Sequence, residues 1–125
     1  MHKYCLTYFL VKYDINNFDM KEFASKLSLD YDLLVYFSTD STIEIGRNEL
    51  YQDDINIMIR ESLKDLLGKE DILLELKNKY NLEYYLERVP LLLNDDNYIK
   101  LSLDIDIIEF MYKTKTIDDL DYHLH

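Results

Sequence analysis

The sequence predicts a single α+β domain over residues 1–125: a mostly antiparallel sheet with helices packed on one face, ferredoxin-like in having two related strand-helix-strand halves. Three observations carry that prediction. At Tyr80-Asn81 the apolar period changes from helical (Leu73, Leu76, Tyr80) to alternating, with Leu82, Tyr84 and Leu86 set against Glu83, Tyr85 and Glu87. The order of elements repeats, strand-helix-strand from Tyr4 to Phe37 and again from Asn81 to Leu124, with a helical pair between. No Gly-rich strand-to-helix turn occurs, which argues against an open doubly wound parallel sheet.

The first element is a strand over His2 to Tyr13, rich in strand formers and apolar on both alternations, as a central strand covered on both sides would be. A polar turn, Asp14 to Asn17, leads into a helix. Asp19 with Glu22 forms an approximate capping box, Phe18 and Phe23 a hydrophobic staple, and Met20, Phe23, Ala24 and Leu27 the apolar stripe, ending near Ser28 to Asp30. Tyr31 to Phe37 alternates Leu33, Val35 and Phe37 with Asp32, Leu34 and Tyr36. With Thr42 to Ile45 beyond the turn Ser38 to Ser41, it reads as a hairpin.

Asp53 and Asp54 then cap a helix whose apolar positions Ile55, Met58, Ile59, Leu63, Leu66 and Leu67 keep helical spacing until Gly68. The helix over Lys69 to Tyr80 follows with almost no loop. In the strand from Asn81, Pro90 has no N–H to give a ladder and belongs at an edge or a bulge. Asn94 to Asn97 is a turn and Tyr98 to Leu101 a short strand. Ser102, with Asp104 and Asp106 in the first turn, starts a helix through Ile107, Phe110 and Met111. Ile117 to His125 closes the chain as a strand, with Leu120, Tyr122 and Leu124 facing the core and Asp119, Asp121 and His123 facing water.

Composition bounds the function. A hydrophobic content of 48% in 125 residues supports one core without disulfides or metals. Gly46, Gly68 and Pro90 are the only residues of their kinds, so flexible linkers and Pro-rich recognition tracts are excluded. The lone Cys5 sits in an apolar run, fits a reducing compartment and removes zinc-finger and thioredoxin chemistry. The amino terminus lacks signal-peptide features and no apolar run approaches the ~20 residues of a membrane helix, so a soluble cytoplasmic protein is expected. With 25 acids against 14 bases, the net charge of -11 repels phosphates and anionic headgroups, so neither nucleic acid nor membrane is an expected partner. A basic protein is.

No GxSxG, HExxH, P-loop, EF-hand or His/Cys pair occurs, and no catalytic residue, metal ligand or cofactor is expected. Asp119, Asp121 and His123 share a strand face, but a period of two spreads them ~7 Å apart, too far for one ion without a bulge. Glu61 and Asp65, four apart on the Ile55 helix, lie away from its apolar stripe and fit a solvated face. Twelve tyrosines and no tryptophan allow interface use of a few, among them Tyr85 on the Glu83/Glu87 face.

The carboxy-terminal half carries a resemblance. ELKNKYNLEYYLERVPLLL (Glu75 to Leu93), KLSLDIDIIEFMYKT (Lys100 to Thr114) and IDDLDYHLH (Ile117 to His125) look like the domain-of-unknown-function family numbered 4279, and YFLVKYDINNFDMKEFASKLSL (Tyr8 to Leu29) is similar in layout. In the segment after Leu29 the chain departs from that family, where a proline and a Trp-bearing strand are usual and neither occurs. The resemblance implies a bacterial α+β domain without assigned chemistry, of the kind found among small toxin-immunity proteins. With the acidity, it leads to an acidic protein-binding module, an immunity-type protein that neutralises a basic toxin or effector domain. The expected contacts are Glu83, Tyr85, Glu87, Asp95, Asp96, Asp119 and Asp121. The alternative is a small-molecule-binding or regulatory α+β domain, able to pair through a sheet edge; the oligomeric state is open.

Overall fold

The structure, a computed structural model, describes residues 4–51, 54–92, 102–121 and 123–124. Its centre is β1 (Tyr4–Lys12), paired antiparallel with β2 (Thr42–Tyr51) on one side and β3 (Glu83–Leu92) on the other. The far side of β3 pairs in parallel with β4 (Ile117–Leu120) and then β5 (His123–Leu124). The strand order β2-β1-β3-β4 makes an α+β fold with a mixed, mostly antiparallel sheet. The first strand-helix-strand run closes on an antiparallel neighbour and the last on a parallel one.

Side-chain alternation gives the sheet a dry face. Cys5, Phe9 and Val11 of β1, Ile43 and Ile45 of β2, and Tyr84 and Leu86 of β3 are buried in one cluster. The same cluster takes Phe23, Ala24 and Leu27 from α1 (Met20–Leu27), Ile55, Met58, Ile59 and Leu63 from α3 (Ile55–Leu63), Leu73 and Leu76 from α4 (Glu70–Tyr80), and Ile107 and Phe110 from α5 (Ile105–Thr114). The Phe9 ring stands 5.2 Å from that of Tyr84 and 6.1 Å from that of Phe110, joining sheet and helix layer.

Several local expectations hold for their stated reasons. The Asp19 side chain accepts from the Glu22 N–H, and Phe18 and Phe23 meet edge to face at 5.5 Å, as a capped and stapled helix start requires. The period switch after Tyr80 coincides with Asn81 in the left-handed region, φ 55°, the conformation that ends a helix and turns the chain into a strand. Leu82, Tyr84 and Leu86 face inward as the alternation requires.

Other expectations are corrected. Tyr31–Phe37 is helix α2, not a hairpin strand. Its apolar residues occupy both alternations, so the pattern was ambiguous, and Asp30 decided it by accepting from the Asp32 N–H. β2 is accordingly longer than Thr42 to Ile45 and pairs with β1. β1 is covered by helices on one face only. α3 stops at Leu63; Leu66 and Leu67 both donate to the Leu63 carbonyl in a tightened turn. α5 starts after Asp104, while the Ser102 carbonyl accepts from Asn56 Nδ2. Pro90 lies buried in β3, opposite Cys5. Its missing N–H falls where the outer ladder is interrupted: pairing stops at Arg88↔Leu120 and resumes at Leu91↔His123, so the single closing strand becomes β4 and β5. The expected Asn94 to Asn97 turn and Tyr98 to Leu101 strand, with His2, Asp53, Tyr122 and His125, lie outside the described residues.

Candidate functional site: the open face of the sheet

The residues that alternate away from the core form a second face, which the helices leave free. β1 contributes Leu6, Tyr8, Leu10 and Lys12, and β3, in register with it, contributes Val89, Glu87, Tyr85 and Glu83. β2 adds Glu44 and, through an irregular register between Thr7 and Phe9, Arg47; β4 adds Ile117 opposite Tyr85 and Asp119 opposite Glu87.

Gly46 makes that irregularity possible. It sits at φ 69°, and a Cβ there would stand 2.0 Å from the Ser62 carbonyl oxygen of α3. The close approach is held by a buried cluster in which Ser62 Oγ donates to the Thr7 carbonyl and lies 2.7 Å from Thr7 Oγ1. The bulge also positions Arg47: its guanidinium lies 5.6 Å over the Tyr8 ring and binds Glu44 and Glu49, each at 3.0 Å. At the other end of the face, Lys12 Nζ lies 5.0 Å over the Tyr85 ring, whose hydroxyl donates to Glu83.

The face is therefore a field of carboxylates threaded with tyrosines. Glu87 lies at its middle, between Tyr8 and Asp119, and is only 8% exposed. Burial, a hydrogen bond to Asp119 and the charges of Asp119 and Asp121 push its carboxyl up to about 8. Burial and then the charges of Glu87 and Glu44 raise the Tyr8 phenol; the hydrogen bond to Glu83, then burial, raise that of Tyr85.

The structure brings together five of the seven expected contact residues: Glu83, Tyr85, Glu87 and Asp119 share the face, and Asp121 is near enough for its charge to act on Glu87. Glu87 corrects the expectation that this row is wet, because Tyr8 and β4 flank it. Asp95 and Asp96 lie outside the described residues. Sequence reasoning missed Tyr8, Lys12, Glu44 and Arg47, whose common face needs the β2-β1-β3 order. It also missed Asp118, on the opposite face, which binds the buried Arg88 through two bonds of 2.8 and 2.6 Å. A signal was present: alternation sends Arg88 inward, and an inward guanidinium needs an acid.

Glu87 and Asp119 have the unequal environments of an acid/base pair. The cavities at the Lys12/Glu83 end of the face, between α2 and β2, and along α5 are lined by other residues, so the pair lies on a surface. Among the described residues no three His, Cys, Asp or Glu side chains gather closely enough to hold a metal ion, and no helix is long and apolar enough to cross a membrane. Comparisons with protein-family models, curated proteins and solved structures find no match to this chain.

Proposed function

We propose that the chain is an acidic protein-binding module that captures a basic protein partner on the open sheet face, in the manner of a cytoplasmic immunity protein neutralising a basic toxin or effector domain. One observation carries this reading: the face left free by the helices gathers Glu44, Glu83, Glu87, Asp119 and Asp121 around Tyr8 and Tyr85, and its cations, Lys12 and Arg47, are already engaged with Tyr85 and with Glu44 and Glu49. Such a surface offers incoming lysine and arginine both charge and aromatic planes. Affinity to the domain family numbered 4279 belongs to the same proposal, as does a ferredoxin-like kinship of the two halves. The latter is supported by β1 and β3 both occupying inner positions and both leading through helix to an edge strand.

The test is affinity capture from the native host with the wild-type chain and an Asp119→Asn/Asp121→Asn/Glu83→Gln variant. A basic protein retained at low salt, and lost from the variant while its melting temperature is kept, is the expected result. Retention that ignores both salt and these substitutions would sink the electrostatic mechanism. A second reading, a small-molecule-binding or regulatory domain, draws on the cavity of about 300 Å³ between α2 and β2, where Leu33, Leu34 and Phe37 face Glu44 and Asp65. Saturable stabilisation by one metabolite class, abolished by Leu34→Trp, would favour it.

A further inference from the structure

Helix α5 is apolar on two opposite sides. Ile107, Phe110 and Met111 pack into the core, whereas Ile105, Ile108 and Tyr112 are 69%, 45% and 84% exposed. At ~3.6 residues per turn the exposed three form one stripe diametrically opposite the buried one, so they are not the margin of the core. A groove of about 750 Å³ runs beside them, walled by Leu103, Met111, Lys113 and Lys115. Charge is ordered along the helix. Asp104 and Asp106 stand at its amino-terminal end and Lys113 and Lys115 at its carboxy-terminal end. Arg60 bridges both aspartates at 2.6 and 2.8 Å, and two carboxylates against one guanidinium leave that end with net negative charge.

We propose that α5 is a homodimer interface: two copies of the chain pair through antiparallel α5 helices about a twofold axis near Ile108. Tyr112 of each copy then covers Ile105 of the other, and each lysine end faces the other copy's aspartate end. Two features select a second copy as the occupant. The stripe is centred on Ile108, so reversing the helix superposes apolar on apolar, as an isologous contact requires. The charge order is antisymmetric about the same point, so the reversal also sets opposite charges together and opposes the two helix dipoles. In a chain of net charge -11 most self-contacts repel, and this one offsets that repulsion locally. A single helix face lies at the small end of specific interfaces, so the dimer is weak, roughly micromolar in Kd, and weakened by salt. Because α5 packs on the helical side of the sheet, the dimer leaves both open faces accessible, and the inference stands without the proposed function.

Sedimentation equilibrium of the full 15.1 kDa chain over a concentration series tests it. The expected result is a rise in mass towards twice that value, lost in Ile108→Glu, which sets two carboxylates on the axis, while the melting temperature is kept because the side chain is half exposed. Ile108→Cys should form a disulfide-linked dimer under mild oxidation. The buried native Cys5 does not compete, and Tyr36→Cys on α2, equally open to solvent, should not cross-link. A wild-type chain that stays monomeric up to roughly millimolar concentration and gives no Ile108→Cys cross-link overturns the proposal and assigns the stripe to another protein. A dimer that survives Ile108→Glu overturns it too and moves the contact to another surface, such as a sheet edge.

Discussion

Glu87 keeps its proton at neutral pH, because its neighbours across the sheet are a phenol and another carboxyl. Its folded value of about 8 exceeds the ordinary 4.5, so between those values the folded chain binds a proton that the unfolded chain has released. The stability linked to this group is therefore complete below about pH 4.5 and is lost as pH rises towards about 8. Glu87→Gln, which keeps the hydrogen-bonding shape and cannot ionise, should gain in melting temperature over wild type as buffers move from about pH 5 to about pH 9. Equal pH profiles for the two proteins would show that Glu87 ionises freely. Gly46 is the other position where one atom decides the outcome. A methyl group there meets the Ser62 carbonyl and a disfavoured φ at once, and Gly46→Ala is expected to cost more than ~3 kcal/mol in denaturant unfolding.

Among the elements, β3 and β4 carry the sharpest expectations. Leu86 is fully buried next to Phe9 in the ladder, and Leu86→Ala should cost ~2 to 5 kcal/mol, a loss that a one-residue slip of β3 would abolish. Four exposed residues of β4 dock against β3 largely through Asp118, whose partner Arg88 is almost wholly buried. Removing the acid leaves a buried guanidinium without its bidentate partner. Asp118→Ala is expected to destabilise by ~3 kcal/mol, reduced somewhat because Asp118 itself is partly screened by water, and Arg88→Met/Asp118→Ala to recover most of that loss. A double-mutant cycle with no coupling between the two positions would refute this account of how β4 is held.

For the molecule as a whole, one sheet face is spent on the core and the other carries the charge. If a basic protein docks on it, long-range attraction sets the encounter rate. Association should slow by ~10-fold or more between low and physiological salt, with the dissociation rate changing much less. Stopped-flow binding at several ionic strengths measures both; a rate indifferent to salt would point to an apolar, tyrosine-led interface instead.

The sequence by itself determined what depends on neighbours along the chain. Capping by Asp19, the left-handed stop at Asn81 and the inward side of Leu82, Tyr84 and Leu86 are written in residues a few positions apart, and each was legible. Where local signals conflicted, as in Tyr31–Phe37, alternation was outweighed by a capping aspartate, because apolar residues on both alternations specify neither period. Half of the candidate face was legible as well, since Glu83, Tyr85 and Glu87 alternate on one strand. The other half, Tyr8, Lys12, Glu44 and Arg47, and the burial of Glu87 could be decided only by the tertiary structure. Strand order and register bring these groups together from three strands, and a carboxyl's affinity for its proton depends on which side chains surround it in space.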